Sequence, residues 1–367
     1  MSFEEIKKNF GFGCMRMKMD GEEVDREEFC RMIDAFLAAG FNYFDTAHVY
    51  LDGKSELALR ECLVRRYPRS SFVLANKLTP WCFEEEAQIR PFFEMQCEAC
   101  GVDYFDFYLF HATNASRYEH FQKCNAFEIV RALKEEGRIR HIAMSFHDTP
   151  EVLDGILREH PEIEAVQLQI NYLDYDDPGV QSKACYDVAV KYGKQVIVME
   201  PVKGGLLANP PKEAVDVLSE LGEGSCASKA IRFAASYPAV FMTLSGMGNM
   251  EMMEDNLRAV DGAKPYGEAE FAVFARAREV IRQVRQIPCT ACNYCAELCP
   301  QSIRISGIFA AYNQVLAAKK TRGEAKALLP ETGGAAADCV GCGACESVCP
   351  QKIEIKENLA TIARRLK

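Results

Sequence analysis

Eight cysteines after residue 288 fall into two groups of identical spacing. Cys289, Cys292, Cys295 and Cys299 read C-x₂-C-x₂-C-x₃-C and precede Pro300; Cys339, Cys342, Cys345 and Cys349 repeat the spacing and precede Pro350. Three thiolates so spaced can wrap one iron–sulfur cube, and in the two-cluster arrangement the fourth Cys of each run ligates the other cluster. The spacing therefore predicts two [4Fe–4S] clusters, one on Cys289, Cys292, Cys295 and Cys349, the other on Cys339, Cys342, Cys345 and Cys299. The competing chemistry is structural zinc, for which C-x₂-C is also the spacing. Zinc needs only two such pairs, and leaves the third Cys and the following Pro of each run unexplained.

A second set of reactive residues lies upstream. Asp45 and Tyr50 belong to FDTAHVY, Lys77 ends VLANK and His111 ends YLFH. A buried Asp–Lys pair beside a tyrosine is expected to lower the phenol pKa and let it act as general acid toward a carbonyl oxygen, with a histidine aligning that carbonyl. His48, His147 and Trp81 are near enough to these runs to line the same pocket.

Such residues need strands that end at one place. From residue 11 to about 246, eight short apolar runs alternate with helical patterns: 11–15, 42–45, 72–77, 106–111, 141–145, 165–171, 195–200 and 241–246. Runs such as FYLF, VQLQI and VIVM are continuous rather than alternating, as in parallel strands buried on both faces. Eight βα repeats over about 240 residues predict a closed (β/α)₈ TIM barrel, whose chemistry sits at the C-terminal ends of its strands; a doubly wound sheet is the weaker alternative. The first helix shows its pattern plainly. Phe29, Met32, Ile33, Phe36 and Leu37 share a face, Asp25 and Glu28 form a capping box, and Gly40 stands at the left-handed C-terminal cap. Residues 112–125 form a candidate lid. The expected domains are the barrel over 1–262, a linking helix over 263–287 and a small C-terminal α+β domain of two-cluster ferredoxin type over 288–367.

The chain has 367 residues, 49% of them hydrophobic and 26% charged, enough for both domains. A net charge of −10 argues against a nucleic-acid partner, and no window is apolar enough for a membrane span or signal, so a cytoplasmic protein is expected. The nine cysteines from Cys14 to Cys226 are expected to be reduced, mostly buried side chains.

In order and placement, Asp45, Tyr50, Lys77 and His111 resemble the catalytic tetrad of the aldo-keto reductases. The opening GFGCM, the segment GKSE and the closing SGMGNMEMMEDNL share that likeness, which spans roughly residues 8–262. The cysteine segment resembles bacterial-type two-cluster ferredoxins with an unusually long spacer over 302–338, which holds a predicted helix near 308–320. The whole chain is thus similar to the ferredoxin-containing branch of the aldo-keto reductases. The resemblance implies hydride transfer from NADPH, or NADH, to an aldehyde or ketone, with Tyr50 donating the proton, Lys77 and Asp45 tuning it and His111 aligning the substrate. It also implies cofactor contacts: Ser145, Gln169 and Asn256 for the nicotinamide amide and adenine, and Ser245, Gly246 and Asn249 for the adenosine phosphate. Lys203, with Gly204 and Gly205, is a substitute pyrophosphate contact. The chain departs from the family pattern at Phe146, at Glu200–Pro201 in place of a stacking aromatic, and at Met252 in place of a phosphate-clamping arginine.

A hydride carries two electrons and such a cluster passes one, so the two halves are not trivially one circuit. A flavin could convert between them, and no flavin motif is visible. Three functions follow. One is a nicotinamide-dependent reductase of a small-molecule carbonyl, with clusters as a structural or sensing appendage. The second is a reductase fed through its clusters by an external ferredoxin or other donor. The third is a non-catalytic electron relay.

Overall fold

The computed structural model describes residues 3–284, 286–317 and 320–366. Its contacts divide the chain into two compact units. The first comprises Met1–Asp176, Gln181–Pro201 and Ser228–Gly267; the second comprises Asp177–Val180, Val202–Ala227 and Glu268–Lys367. This division differs from the one the sequence suggests, because residues 202–227, inside the barrel repeat, pack with the cysteine-bearing segment.

In the first unit and its connections the elements are β1 (Phe10–Gly13), a hairpin of β2 (Met19–Asp20) and β3 (Glu23–Val24), α1 (Arg26–Ala38), β4 (Tyr43–Asp45), α2 (Lys54–Leu59) continued by a π turn over Arg60–Val64, β5 (Val73–Leu78), α3 (Glu86–Cys100), β6 (Phe105–Thr113), α4 (Ala115–Lys123) and α5 (Ala126–Glu135). There follow β7 (Ile139–Phe146), α6 (Pro150–Glu159), β8 (Ala165–Gln169), α7 (Ser182–Lys191), β9 (Gln195–Met199), α8 (Lys212–Leu218), α9 (Cys226–Ala235), β10 (Val240–Ser245) and α10 (Met250–Val260). Eight strands close into a parallel barrel in the order β1-β10-β9-β8-β7-β6-β5-β4. All eight predicted apolar runs are strands of it; the β2–β3 hairpin, two residues per strand, is the addition.

The barrel is filled from within by side chains such as Tyr43, Phe107, Leu109, Ile197 and Met242, and Phe3 packs edge-on against Phe107. Outside it, α1 buries Phe29, Met32, Ile33 and Phe36. The Phe36 ring lies 5.3–5.8 Å from those of Phe12, Phe41 and Phe44, so one helix turn is wedged among three aromatic rings. Phe36→Ala is expected to cost about 3–5 kcal/mol, the range for emptying a buried aromatic site, read as a lower denaturation midpoint at an unchanged denaturant slope.

The start of α1 differs from a reciprocal capping box. Asp25 accepts from the Glu28 N–H at 3.0 Å, but the Asp25 N–H already donates to Lys18 O at 2.9 Å in the hairpin. The Glu28 carboxylate instead accepts from the Met250 N–H at 2.8 Å, an otherwise unpaired donor in the first turn of α10. Gly40 is left-handed as expected, at φ 84°. The candidate lid is ordered as α4, its start capped by Asn114 and its Phe121 buried.

The second unit contains α8 together with α11 (Glu268–Gln283), α12 (Ile305–Leu316), α13 (Arg322–Lys326), α14 (Ala344–Ser347) and α15 (Ile355–Arg365). The predicted linking helix is α11 and the predicted spacer helix is α12; Ala318 and Lys319 of the latter prediction lie outside the described residues. The core joins Ile287, Ile303, Ile305, Ile308, Phe309 and Tyr312 to Ile353, Ile355, Leu359 and Ile362, with cysteines packed at its edge. Among the described residues its extended pairing is the single parallel bridge Ile303–Gly334, which ties the two ends of the long spacer.

Two of the nine scattered cysteines correct the expectation of reduced thiols. Cys30 on α1 and Cys62 in the π turn form a disulfide, because those helical segments bring their Cα atoms to 4.8 Å. Cys14, Cys82, Cys97, Cys100, Cys124, Cys185 and Cys226 are free.

Candidate functional site

Parallel register carries four strand ends to one mouth. Gly13 pairs with Asp45, Asp45 with Ala75, and Ala75 with Phe107, so Lys77 and His111 stand two and four residues beyond the register level of Asp45, toward the C-terminal ends of β5 and β6. Lys77 Nζ donates to Asp45 Oδ1 at 2.6 Å and to the Thr46 carbonyl at 2.7 Å. The other Asp45 oxygen accepts from Gln167 Nε2 at 3.3 Å. Tyr50 comes from the loop after β4, and its ring lies over the Lys77 ammonium, 4.8 Å from it. The His111 ring is 6.0 Å from that of Tyr50 and nearly perpendicular to it. The structure thus brings together all four residues expected to do the chemistry, each buried.

Burial governs their protonation. It raises the Asp45 carboxyl and lowers the Lys77 ammonium, and each opposes that shift in its partner. Tyr50 departs from the sequence expectation. Its pKa is raised well above the ordinary phenol value, by burial first and then by the Asp45 and Glu200 carboxylates. The Lys77 charge cannot reverse this because Asp45 neutralises it and it meets the ring face. Burial, with Lys77, His147 and Arg117 nearby, pushes His111 well below 6.5, so its ring is neutral. His111 Nδ1 shares a 2.8 Å hydrogen bond with Thr79 Oγ1.

The rim is built from residues the sequence reading treated as secondary or missed. Trp81 is 38% exposed, tilted 5.7 Å from His111, with the Arg117 guanidinium 5.1 Å from its ring. Arg117 also donates to Ala112 O at 2.7 Å and so pins the left-handed residue after His111. Across the mouth, Arg16 pairs with Glu200 at 3.4 Å. Beneath the four lies Cys14, its thiol pushed up by burial and the Asp45 charge. The GKSE motif also has a physical role. Buried Glu56 accepts from Asn76 at 2.8 Å and pairs with His48 at 2.8 Å, while Ser55 donates to Cys14 O and so fixes the loop that carries Tyr50. His48, expected as a pocket lining, is held by that carboxylate, which raises its pKa.

Among the expected cofactor contacts, Gln169 and Ser245 end β8 and β10, and Ser145 is the last residue but one of β7. Ser145 accepts from the Ala112 N–H at 3.0 Å, and Gln169 donates to buried Asp174 at 2.6 Å. Asn256 donates to Ser245 at 2.8 Å, Asn249 caps α10 by accepting from Met252 N, and Gly246 leaves room for the Arg16 side chain, 3.3 Å from where a Cβ would stand. A hydroxyl and an amide at adjacent strand ends suit a carboxamide, and the last βα loop with the α10 N-terminus suits a phosphate. Glu28 on the Met250 N–H, Glu251 in the first turn and exposed Met252 do not supply the cation that a further phosphate would need. Lys203, the remaining expected contact, belongs to the second unit, where it is buried and donates to Gln351 Oε1 at 2.9 Å.

In the second unit, Cys289, Cys292, Cys295 and Cys349 line one cavity, with Thr290, Ile305, Phe309, Gln351 and Ile353. Cys299, Cys339, Cys342 and Cys345 line another, with Ile303, Ile305, Lys356 and Leu359. In each cavity three cysteines of one run meet the fourth of the other. Among the described residues no group of His, Cys, Asp or Glu converges on a point as one metal ion requires. Thiolates ringing an apolar cavity fit a polynuclear cluster better than a tetrahedral zinc site.

Eight parallel strands closed on themselves, with polar groups gathered where the strands end, place the first unit in the (β/α)₈ class of enzymes. The profile of the aldo/keto reductase family matches residues 9–276, and the chain belongs to that family; it is an oxidoreductase. A 4Fe-4S dicluster domain profile matches residues 288–354. An uncharacterized oxidoreductase, C215.11c, of Schizosaccharomyces pombe is 23% identical over 69% of this chain and 82% of its own length. An aldo-keto reductase, str7, of Strobilurus tenacellus is 27% identical over 58% of this chain and 63% of its own. In fold, the chain is similar to an aldo-keto reductase from Klebsiella pneumoniae solved in complex with NADPH, at a TM-score of 0.60 and 20% identity, covering 74% of this chain and 95% of that one. Among the described residues no helix is long and apolar enough to cross a membrane.

Proposed function

We propose that the barrel reduces the carbonyl of a small molecule, with Tyr50 as proton donor, Lys77 and Asp45 as its electrostatic support and His111 as the group that aligns the carbonyl oxygen. The observation that carries this reading is the buried convergence of the four groups at the C-terminal mouth, where a scaffold or simple relay would have no use for them. A nicotinamide bound along Ser145, Gln169, Ser245, Gly246, Asn249 and Asn256 supplies the hydride. The protein's own part is acid catalysis and positioning. In the tautomer in which His111 Nδ1 accepts from Thr79, the neutral ring carries its proton on Nε2, and this is the form that can donate to the carbonyl oxygen. Tyr50, held protonated by burial, then gives its proton to that oxygen as negative charge develops there. The reading further assigns the two cysteine cavities to two [4Fe–4S] clusters.

Anaerobic titration of the purified protein with NADH and NADPH, followed by addition of an aldehyde panel, tests the proposal. Saturable quenching of nicotinamide fluorescence and aldehyde-dependent nucleotide oxidation are expected. Given Glu28, Glu251 and Met252 at the start of α10, the Kd for NADPH should lie within a few-fold of that for NADH. Binding of neither nucleotide would defeat the reading. It would favour electron entry through the clusters from an external donor, which the Arg16–Glu200 pair in place of a stacking aromatic also suits.

A further inference from the structure

We infer that Thr79 is the positioning residue for His111: its hydroxyl donates to Nδ1 and so selects the ring tautomer that carries its proton on Nε2. The inference rests on the reading of the barrel as a carbonyl reductase in which His111 aligns the carbonyl oxygen.

Strand register sets the two residues side by side. Leu78 of β5 is opposite Phe110 of β6, and Thr79 and His111 each follow by one residue. Side chains alternate between the faces of a strand, so Thr79 shares its face with Lys77. Pro80 keeps the residue before it extended, and Thr79 has φ −85° and ψ 118°. The Thr79 carbonyl accepts from the Cys82 N–H at 3.1 Å and closes the short turn that also carries Trp81. One step of three residues, Thr79–Pro80–Trp81, therefore puts a hydroxyl 2.8 Å from Nδ1 of the imidazole and an indole 5.7 Å from its centroid. On the chain side of the ring, the left-handed Ala112 that follows His111 is held by Ser145 and Arg117. A β-branched side chain is stiff at χ1, so a threonine hydroxyl stays where the backbone aims it.

Burial decides the direction of the hydrogen bond. Thr79 is 0% exposed and His111 1%. A hydroxyl has one proton to give and two lone pairs, whereas a neutral imidazole has one donor nitrogen and one acceptor nitrogen. Among the described residues, the hydrogen-bond partner of Thr79 Oγ1 is His111 Nδ1. With Nδ1 protonated, the hydroxyl oxygen would accept and its own proton would have no protein acceptor there, the costly outcome for a buried donor. With Nδ1 unprotonated, one bond satisfies both groups. Burial, with Lys77 nearby, holds His111 well below 6.5 and so keeps the ring in the neutral form to which this choice applies.

The test uses the full chain labelled with ¹⁵N-histidine, as wild type, Thr79→Val and Thr79→Ser, with His111→Asn identifying the His111 signals among those of six histidines. Long-range proton–nitrogen correlation spectra distinguish a protonated from an unprotonated ring nitrogen. Wild type and Thr79→Ser should show His111 protonated at Nε2 alone. Thr79→Val keeps the shape and removes the hydroxyl, and should add the form protonated at Nδ1. In that variant kcat for aldehyde reduction should fall about ten- to a hundredfold, the rate equivalent of one buried hydrogen bond, with an unchanged nucleotide Kd. Thr79→Ser should keep kcat within about threefold of wild type. Thr79→Ala covers the case in which Thr79→Val does not fold. His111 protonated at Nδ1 in the wild type would overturn the inference, as would a variant without the hydroxyl that retains the wild-type tautomer or an undiminished kcat. A Thr79→Ser enzyme as slow as Thr79→Val would also overturn it, by assigning the effect to packing. A wild type that turns over no aldehyde would instead defeat the reductase reading, while the spectra would still decide which nitrogen Thr79 leaves protonated.

Discussion

Tyr50→Phe is expected to lower kcat for carbonyl reduction by about 10²–10⁴-fold, the usual contribution of a positioned general acid, with little change in nucleotide affinity or thermal midpoint. The substitution keeps the ring over the Lys77 ammonium and beside His111, so it removes the proton and not the packing. The pH profile provides a second readout. Burial and the Asp45 and Glu200 carboxylates raise Tyr50 above its ordinary 10.0, so the phenol remains protonated, and available as an acid, beyond that pH. Burial lowers His111 below 6.5, so its neutral form persists under mild acid. kcat/KM should therefore show no acid limb from His111 at pH 6.5 and no alkaline limb from Tyr50 up to pH 10. An alkaline limb inside that window belongs to Lys77, whose ammonium burial weakens and Asp45 supports. Asp45→Asn should move that limb to lower pH, because it removes the charge that raises Lys77. A Tyr50→Phe enzyme with undiminished kcat would remove the phenol from the mechanism.

The barrel was legible because its strands are buried on both faces and read as unbroken apolar runs, and because residues of fixed chemistry stood directly after them. Asp45, Lys77 and His111 are positioned by strand register alone, which the sequence pattern encodes. What it does not encode is charge balance across the mouth. Spacing brings Lys77 near Tyr50, and only the three-dimensional arrangement shows Asp45 cancelling that charge and burial outweighing it, which reverses the expected direction of the phenol shift. Glu28 illustrates the same limit. Its offset from Asp25 matches a capping box, but its carboxylate turns to the Met250 N–H, a donor 222 residues away in sequence. The Lys203–Gln351 hydrogen bond lies equally beyond any local pattern, its two ends being 148 residues apart in sequence. The Cys30–Cys62 bond was hidden for the same reason, being a product of helix packing between two unremarkable single cysteines.

The second large effect concerns the two cysteine runs. Cys349→Ala should remove about half of the roughly eight iron atoms that two cubes contain, and it should remove the same cluster as Cys289→Ala, although Cys349 belongs to the other run. The reason is spatial: Cys349 lines the cavity of Cys289, Cys292 and Cys295, while Cys299 lines that of Cys339, Cys342 and Cys345. Four single variants separate the alternatives through iron content and the resonance spectrum of the reduced protein. If cavities define the clusters, Cys289→Ala and Cys349→Ala leave one and the same residual spectrum, and Cys299→Ala and Cys342→Ala leave the other. If each run held its own cluster, Cys289→Ala would instead match Cys299→Ala. Loss of either cluster should also loosen the second unit, because the cysteines that would hold it pack at the edge of the isoleucine core. Partial proteolysis within residues 288–366, with the barrel left intact, is the expected sign. Zinc at stoichiometric amounts in place of iron, in protein prepared without oxygen, would show that the cavities serve a structural role.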